Sequence, residues 1–547
     1  MSKEGYMLFR LTTAKRLMAV VLVATGLAVA CGPAAAPTAT APPPTPTKAA
    51  ATVAAPTATA TPVPAAPKRG GKITWAATGE PALMSASAAT TDGVTGPLSG
   101  YLAYRNANTG AVDPDLAEKW EMKDIKNWRF YLKKGVKFWN GEAFTPEGII
   151  SDLEWQSNPV NKSRLPRYIQ SATGTVVDPY TVDINCSTPC PTLPMGVYHL
   201  KFQAPQWAKA NPNLYTGTTL SNGPYKLAEY KRGEYITLTR YEGYIGALSP
   251  TLDEATIVWR AESKVRAAMV ATGEANVAQM ISIADSKLVP KTVNVGIGVE
   301  NAMMRLNSRA DPLMKDKRVR QALAYAIDRD TITKTLLQGL TKPKDLTFAP
   351  GSVGWTETNI TRYPYDPAKA RQLIKDAGFE GGKITAPSGT RETLDNEIYQ
   401  AIMGYIEAVG LKTQIIPLEG LQAQQIWSVG VGLTSPYSFS WLLGHTNDQF
   451  DAKVTLNYAD CRQAYSYWRC DPDEQKSFQA KLDDASAAVG AERQKKMADL
   501  MTWFTDEPVL ISLWGTPYFH GLRADTAFPT TNSFSSAVVI ADVRLTQ

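Results

Sequence analysis

The segment Asn127–Ile149, with the sequence NWRFYLKKGVKFWNGEAFTPEGI, carries the local signals that decide the fold class. Phe130 and Leu132 alternate with polar or amphipathic neighbours, which predicts a half-buried strand. The Asn-Gly pair at 140–141 is a strong signal for a hairpin turn. The Thr-Pro pair at 145–146 predicts a helix start, with threonine as the cap and proline at the first helical position. Strand, turn and helix therefore follow one another in one short stretch.

Similar signals continue on both sides of this segment. Lys72–Ala77 (KITWAA) predicts an opening strand, and an Asp-Pro turn at 178–179 lies between two strand-like runs. Apolar residues recur at helical spacing over 319–327, which predicts a helix that ends near Gly339. A helix is predicted to begin at the cap Asp366 and to end at Gly378. Another helix near 396–409 leads into a strand over 412–416. The sequence thus predicts a mixed α/β protein with a strand-rich first half.

The N-terminus has the pattern of an export signal. Basic residues precede the apolar run Leu17–Ala30, which is shorter than the ~20 residues that a spanning helix needs. We therefore interpret residues 1–30 as a signal peptide. The stretch Leu27–Cys31 (LAVAC) resembles the lipobox of bacterial lipoproteins, which implies an acylated N-terminus at Cys31. An ordinary signal with an incidental cysteine is the alternative, and both place the mature chain outside the cytoplasm.

Residues 31–68 form a tether of Pro, Ala, Thr and Val, with almost no other residue types. This composition cannot bury enough apolar surface to fold, so the segment is predicted to be disordered. With polyproline II geometry it spans up to roughly 100 Å at ~3.1 Å per residue. A stalk glycosylated on its threonines is the alternative to a bare tether.

The rest of the chain is ordinary globular material and is too long for one core, so two large lobes are expected. The formal net charge is +6, and Lys and Arg are interleaved with Asp and Glu. This balance argues against nucleic-acid binding.

Four cysteines follow Cys31 in two local pairs: Cys186, Cys190, Cys461 and Cys470. In an exported protein two short disulfides are the first interpretation, although four cysteines allow three connectivities. Neither pair is CxxC, and the three histidines are far apart in sequence. We therefore expect no metal site and no cofactor.

Seven segments in order resemble one protein family: Arg69–Ala76, Pro114–Glu121, Asn127–Ile149, Ser221–Tyr244, Lys317–Ile332, Tyr363–Phe379 and Asp506–Trp514. Together they resemble solute-binding family 5 of bacterial ABC importers, the dipeptide, oligopeptide and nickel class. The resemblance covers nearly the whole mature chain. Most of these residues are expected to serve stability and not recognition.

The resemblance implies a two-lobed α/β clamp of the periplasmic-binding-protein type, in the large cluster C form. Its first lobe is expected to be discontinuous, comprising 69–302 and 508–547, with the second lobe, 303–507, inserted between them. Crossovers are expected near 303–307 and 507–514. The family traps a solute between its lobes and delivers it to the membrane permease without altering it. A monomer in the periplasm or at the cell surface is implied.

The ligand is less well determined by the resemblance. Peptide-binding members have a cleft Trp followed three residues later by an Asp that pairs with the peptide ammonium. Trp441 aligns with that Trp, but Gly444 stands where the Asp would be. Either a small insertion lets Asp448 take the role, or the ammonium site is lost.

The predicted ligand-binding residues combine aromatic faces with hydrogen-bonding groups: Glu80, Tyr437, Trp441, His445, Asn447 and Asp448. Such a mixture suits an oligosaccharide as well as a peptide, and both ligand classes stay open. Core packing is the alternative role for each aromatic residue. His445 as a ligand of a metal chelate is a further alternative, and an exposed loop position is the alternative for Glu80.

Enzymatic functions find little support in the sequence. A secreted glycoside hydrolase needs two positioned carboxylates, and no pair stands out among the many Asp and Glu residues. The sequence contains no GxSxG elbow, HExxH helix, Walker loop or dinucleotide fingerprint in a suitable context. A surface adhesin on a stalk fits the tether but not the seven ordered segments.

Overall fold

The computed structural model describes most of the chain beyond the tether. The described residues are 69–80, 96–105, 111–158, 169, 172–211, 219–295, 300–345, 351–358, 360–387, 396–416, 436–447, 450–463, 466–516, 518–528 and 540–546. The signal peptide, Cys31 and the tether lie outside these residues, so the predictions made for them remain predictions.

The strands of the described residues are numbered in chain order. They are β1 Lys72–Ala77, β2 Ala103–Arg105, β3 Val112–Pro114, β4 Ala117–Asp124, β5 Asn127–Leu132, β6 Thr173–Asp178, β7 Thr181–Asn185, β8 Tyr225–Lys231, β9 Tyr235–Arg240, β10 Glu254–Trp259, β11 Val277–Ile281, β12 Lys291–Val295, β13 Glu300–Leu306, β14 Lys383–Pro387, β15 Lys412–Ile416, β16 Phe439–Thr446, β17 Leu510–Gly515, β18 Tyr518–Leu522, β19 Thr526–Ala527 and β20 Arg544–Leu545.

The helices are concentrated in the second half of the chain. The α-helices span Pro146–Ser157, Leu193–Gly196, Pro205–Ala210, Ser263–Ala271, Pro312–Lys315, Lys317–Ala326, Arg329–Thr331, Pro367–Ala377, Asn396–Glu407, Ala452–Leu456, Pro472–Ala487 and Gly490–Asp506. Short 3₁₀ turns span Gly96–Leu98, Val197–His199, Asp285–Leu288 and Ile540–Asp542, and a π-turn spans Ile332–Leu336.

A seven-stranded sheet organises the first lobe, in the order β12-β18-β11-β1-β10-β9-β8. β1 runs parallel to both β10 and β11, and Trp75 lies opposite Ile257 and Val277. β18, from the C-terminal part of the chain, lies antiparallel between β11 and β12. Both ends of the globular chain therefore meet in one sheet, as expected for a discontinuous lobe.

The segment Asn127–Ile149 belongs to a separate layer of this half. β5 is central in a four-stranded antiparallel sheet, β4-β5-β7-β6, and Phe130 and Leu132 are buried as predicted. The turn at 140–141 is present, with Gly141 at φ +90°. The helix starts at Pro146, but Thr145 makes no side-chain capping hydrogen bond. The main-chain position was predicted correctly, whereas the threonine hydroxyl does not cap the helix.

One glycine shows how closely these layers approach each other. Gly223 of the SNGPYKL segment donates its N–H to the Leu98 carbonyl at 3.0 Å. A Cβ at this position would lie 2.3 Å from the Pro97 carbonyl oxygen. Only glycine fits where this loop crosses the turn Gly96–Leu98.

The second half of the chain builds its own sheets and cores. β13 lies between β16 and β17, both antiparallel to it, and β14 pairs in parallel with β15. The second-lobe core packs helices Lys317–Ala326, Pro367–Ala377 and Asn396–Glu407 against this sheet, with members from Ala302 to Trp514. Another core on the opposite face joins Met303 to the C-terminal helices. β17 contributes to these cores, although residues 508–547 were expected in the first lobe. The predicted boundaries at 302/303 and 507/508 stay predictions.

Two antiparallel strand pairs lie near the predicted boundary at 302/303. β12 pairs with β18 up to Val295 opposite Tyr518, and β13 pairs with β17 from Asn301 opposite Gly515. The predicted crossovers near 303–307 and 507–514 fall largely on β13 and β17, which pair with each other. Their role as connections between the lobes stays a prediction.

Helix ends and cysteines complete the scaffold. Asp366 accepts a hydrogen bond from Lys369 N–H at 2.9 Å, and Gly378 ends the same helix at φ +75°, both as predicted. Disulfides join Cys186 to Cys190 and Cys461 to Cys470, with Cα–Cα distances of 6.3 and 5.9 Å. In the described part of the chain, no helix has the length and hydrophobicity needed to cross a membrane.

Candidate functional site

The carboxyl ends of the three parallel strands β10, β1 and β11 lie at one edge of the seven-stranded sheet. Open α/β sheets bind ligands outside this edge. Polar residues lie at the ends of these strands: Thr78 and Glu80 follow β1, Arg260 follows β10, Gln279 lies within the last residues of β11, and Ser282 follows it. We call this edge the rim.

Glu80 is the predicted ligand contact on the rim. Its carboxylate accepts a hydrogen bond from the Tyr230 hydroxyl and another from Gly233 N–H at 3.2 Å. Burial, then the hydrogen bond to Glu80, raises the pKa of Tyr230 to about 12. The carboxylate therefore ties the loop after β1 to the β8–β9 turn. A ligand role for Glu80 stays a prediction.

The other predicted residues follow β16 in the second half. Tyr437 precedes this strand, its side chain is buried, and its carbonyl accepts a hydrogen bond from the Asn307 side chain at 2.9 Å. Burial, and secondarily the charge of Tyr467, raise the pKa of Tyr437. The main chain of Trp441 lies opposite Met304.

His445 and Asn447 follow on the same strand and its turn, and the main chain of His445 lies opposite Asn301. Asn447 is 1% exposed. Its amide donates to the Asp451 carbonyl at 2.9 Å, and its side-chain oxygen accepts from Asp451 N–H at 3.2 Å. Asn447 thus binds the main chain of Asp451, the residue that caps helix Ala452–Leu456. Its ligand role stays a prediction, and Asp448 lies outside the described residues.

Sequence reasoning missed Arg305, which lies in β13 next to this strand. It is 1% exposed, and its Nε donates to Ser440 Oγ at 3.1 Å. Its guanidinium stands 4.0 Å from the centre of the Tyr467 ring. The sequence did contain a clue, since Arg305 is a single arginine among the apolar residues of β13. A cation buried at such a position needs specific partners.

Trp441 and His445 lie on β16, and Tyr437 and Asn447 lie just before and just after it, so these four are neighbours mainly in sequence. Glu80 belongs to the rim of the other sheet. Among the residues described, no group of three or more His, Cys, Asp or Glu side chains is placed to hold a metal ion. Of the predicted residues, Tyr437 and Asn447 have buried side chains. Their role in binding a solute stays a prediction.

Comparison with known proteins identifies the family. The model of "Bacterial extracellular solute-binding proteins, family 5 Middle" matches residues 111–460, which is more than half of the chain. The glutathione-binding protein GsiB of Salmonella choleraesuis is 29% identical over 327 residues, covering 58% of this chain and 63% of that protein. GsiB of Pectobacterium atrosepticum is 28% identical over 333 residues, with the same coverage of 58% and 63%. The chain thus spans about 63% of the length of these relatives.

Solved structures share the fold. NikA from Brucella suis, in complex with Fe(III)-EDTA, superposes with a TM-score of 0.76 at 20% identity, covering 87% of this chain and 100% of that one. DppA from Helicobacter pylori, in complex with the peptide STSA, gives a TM-score of 0.72 at 18% identity, covering 88% and 99%. These neighbours are two-lobed binding proteins, which confirms the predicted fold class. The chain belongs to the bacterial extracellular solute-binding proteins of family 5.

Proposed function

We propose that this protein is the extracytoplasmic receptor of an ABC importer, which captures a peptide-like solute between its two lobes and delivers it to the permease. The family match over residues 111–460 carries the proposal. Two lobes joined by a few chain segments close around a ligand by bending at those segments. The protein acts as a monomer and binds the solute without changing it chemically.

The names of relatives favour a peptide over an oligosaccharide. GsiB is described as glutathione-binding, and the DppA structure contains the peptide STSA. We propose that Trp441 and Tyr437 supply contact area, that Glu80, His445 and Asn447 orient polar groups, and that Asp448 pairs with the ligand ammonium.

A thermal-shift screen of the purified full-length protein tests the ligand class. The probes are glutathione, Ser-Thr-Ser-Ala, Met-Leu, maltotriose and a nickel–histidine chelate. A peptide at 100 times its dissociation constant is expected to stabilise the protein by about 2.7 kcal/mol, because only the folded state binds it. Stabilisation by maltotriose alone would favour the oligosaccharide alternative, and cleavage of a probe seen by mass spectrometry would contradict a binding protein.

Asp448→Asn separates the ammonium site from general binding. The variant is expected to lose the response to peptides, since a neutral amide cannot pair with an ammonium group. Asp473→Asn, at an exposed position of helix Pro472–Ala487, is the matched control and should respond like the wild type. An unchanged response in Asp448→Asn would mean that the ammonium anchor lies elsewhere.

We also propose that acylated Cys31 anchors the protein to the membrane. The full-length chain expressed in a bacterial host is expected in the membrane fraction, and Cys31→Ser in the soluble fraction, because the lipid chains are lost. Ser2→Ala, outside the lipobox, is the control and should fractionate like the wild type. Equal fractionation of wild type and Cys31→Ser would refute the anchor.

A further inference from the structure

Arg266 is a fully buried cation directly beneath the rim. It lies in helix Ser263–Ala271 with 0% of its surface exposed. Its guanidinium donates to four main-chain carbonyls: Gln279 at 2.7 Å, Met280 at 2.8 Å, Arg260 at 2.7 Å and Ala261 at 2.5 Å. The planar fork of an arginine reaches several acceptors at once in fixed directions. One side chain thus joins the ends of β10 and β11.

The same network extends to the central strand. Gln279 Oε1 accepts a hydrogen bond from Thr78 N–H, directly after β1, at 3.3 Å. Met280 has φ +48°, a conformation that residues other than glycine adopt at a cost. Arg266 contacts the carbonyl of this strained residue. All three parallel strand ends are therefore connected to one guanidinium.

Three polar side chains fix the loop that follows β11. Asp285 Oδ2 accepts from Ser263 Oγ at 2.5 Å and from Ser282 Oγ at 2.7 Å. Ser263 Oγ in turn accepts from Ser282 N–H at 2.8 Å. Between them, Ile283 packs against the second-lobe core and also against the small core around Ala278 and Phe519. The loop Gln279–Asp285 is thus held on one lobe and touches the other.

We propose that Arg266 is a positioning residue for solute capture. It fixes the loop Gln279–Asp285 so that the rim and Ile283 meet the solute and the second lobe in one arrangement. A rim that is ordered before binding loses less conformational freedom when the ligand arrives, which increases affinity. The inference deepens the proposed function and rests on it for the link to affinity.

Arg266→Lys in the full-length protein tests the inference, because lysine keeps the charge and loses the fork. Hydrogen–deuterium exchange followed by mass spectrometry is expected to show amides of 258–262 and 278–285 exchanging about tenfold faster than in the wild type. The dissociation constant for glutathione, or for Ser-Thr-Ser-Ala if glutathione does not bind, is expected to rise about tenfold. Unchanged exchange, or faster exchange with unchanged affinity, would overturn the proposal.

Two control variants separate positioning from general stability. Lys264→Gln changes an exposed residue of the same helix, and Val182→Ala weakens a core in the four-stranded sheet. Both should keep wild-type exchange at the rim and wild-type affinity, even where Val182→Ala lowers the melting temperature as much as Arg266→Lys. If they loosen the rim equally, Arg266 has no special role.

Two further outcomes are distinguishable. A wild-type protein that binds no peptide contradicts the proposed function, while the exchange data still decide whether Arg266 orders the rim. If Arg266→Lys does not fold, Gln279→Ala removes only the link to Thr78. It is then expected to speed exchange at 78–80 and weaken peptide affinity about threefold, and wild-type behaviour would overturn the proposal.

Discussion

Asp451→Asn is expected to lower the free energy of unfolding by about 3–5 kcal/mol, because it leaves a buried charge without its counter-ion. Asp451 and Arg493 form an ion pair at 2.7 Å, with side chains 1% and 4% exposed. The asparagine still provides an oxygen for the capping bond from Lys453 N–H. The loss in free energy of unfolding therefore measures the missing charge and not a missing helix cap. Urea denaturation followed by tryptophan fluorescence measures the effect.

An exposed ion pair provides the matched control. Lys495 Nζ and Asp499 Oδ2 form an ion pair at 2.8 Å on the surface of helix Gly490–Asp506, with side chains 78% and 66% exposed. Asp499→Asn should cost less than about 1 kcal/mol, since water screens the charges. Arg493→Met added to Asp451→Asn should recover part of the loss, because the unpaired charge of Arg493 is then removed. Equal costs for the two Asp→Asn variants would show that the buried pair has no special importance.

Acid is expected to destabilise the protein through His520. Burial lowers the pKa of this histidine from 6.5 to about 4, and its ring lies 5.9 Å from Trp75 in the first lobe. The unfolded chain binds a proton near pH 6.5, whereas the folded chain does not until about pH 4. The contribution of His520 to the free energy of unfolding is therefore complete above pH 6.5 and is lost progressively as the pH falls toward 4. The loss amounts to about 3 kcal/mol.

His520→Phe should remove this contribution. Denaturation midpoints at pH 7 and pH 4 are expected to differ less in the variant than in the wild type, by the equivalent of about 3 kcal/mol. Phe528→Leu is the control, because its ring packs on His520 at 5.9 Å but does not titrate. It should shift both midpoints equally. A wild-type acid response in His520→Phe would assign that response to other groups.

Elements with complete local signals were predicted well from the sequence. Lys72–Ala77 and Lys412–Ile416 are strands with the predicted bounds, and the helix beginning at Asp366 has both predicted ends. Alternation, caps and glycine breaks lie within a few residues, so they are visible in the sequence. The place of β18 between β11 and β12 is set by contacts over more than two hundred residues, and no local pattern encodes it.

The candidate site was harder to predict for a related reason. Asn447 was chosen as a hydrogen-bonding residue, and its amide is indeed engaged, but with the main chain of Asp451. Arg266 and Arg305 were not singled out, although both are buried next to the regions of interest. A sequence shows that a polar group exists, whereas its partners become known only when distant segments are brought together.

Strand pairing restricts how the chain can move where it leaves and re-enters each sheet. β12 pairs with β18 in the seven-stranded sheet, and β13 pairs with β17 in the three-stranded sheet. Sliding one strand of a pair along the other would break every hydrogen bond of that ladder, whereas twisting the pair keeps the bonds intact. The incoming and the returning segment of the chain are therefore locked in register with each other, so each pair moves as one unit.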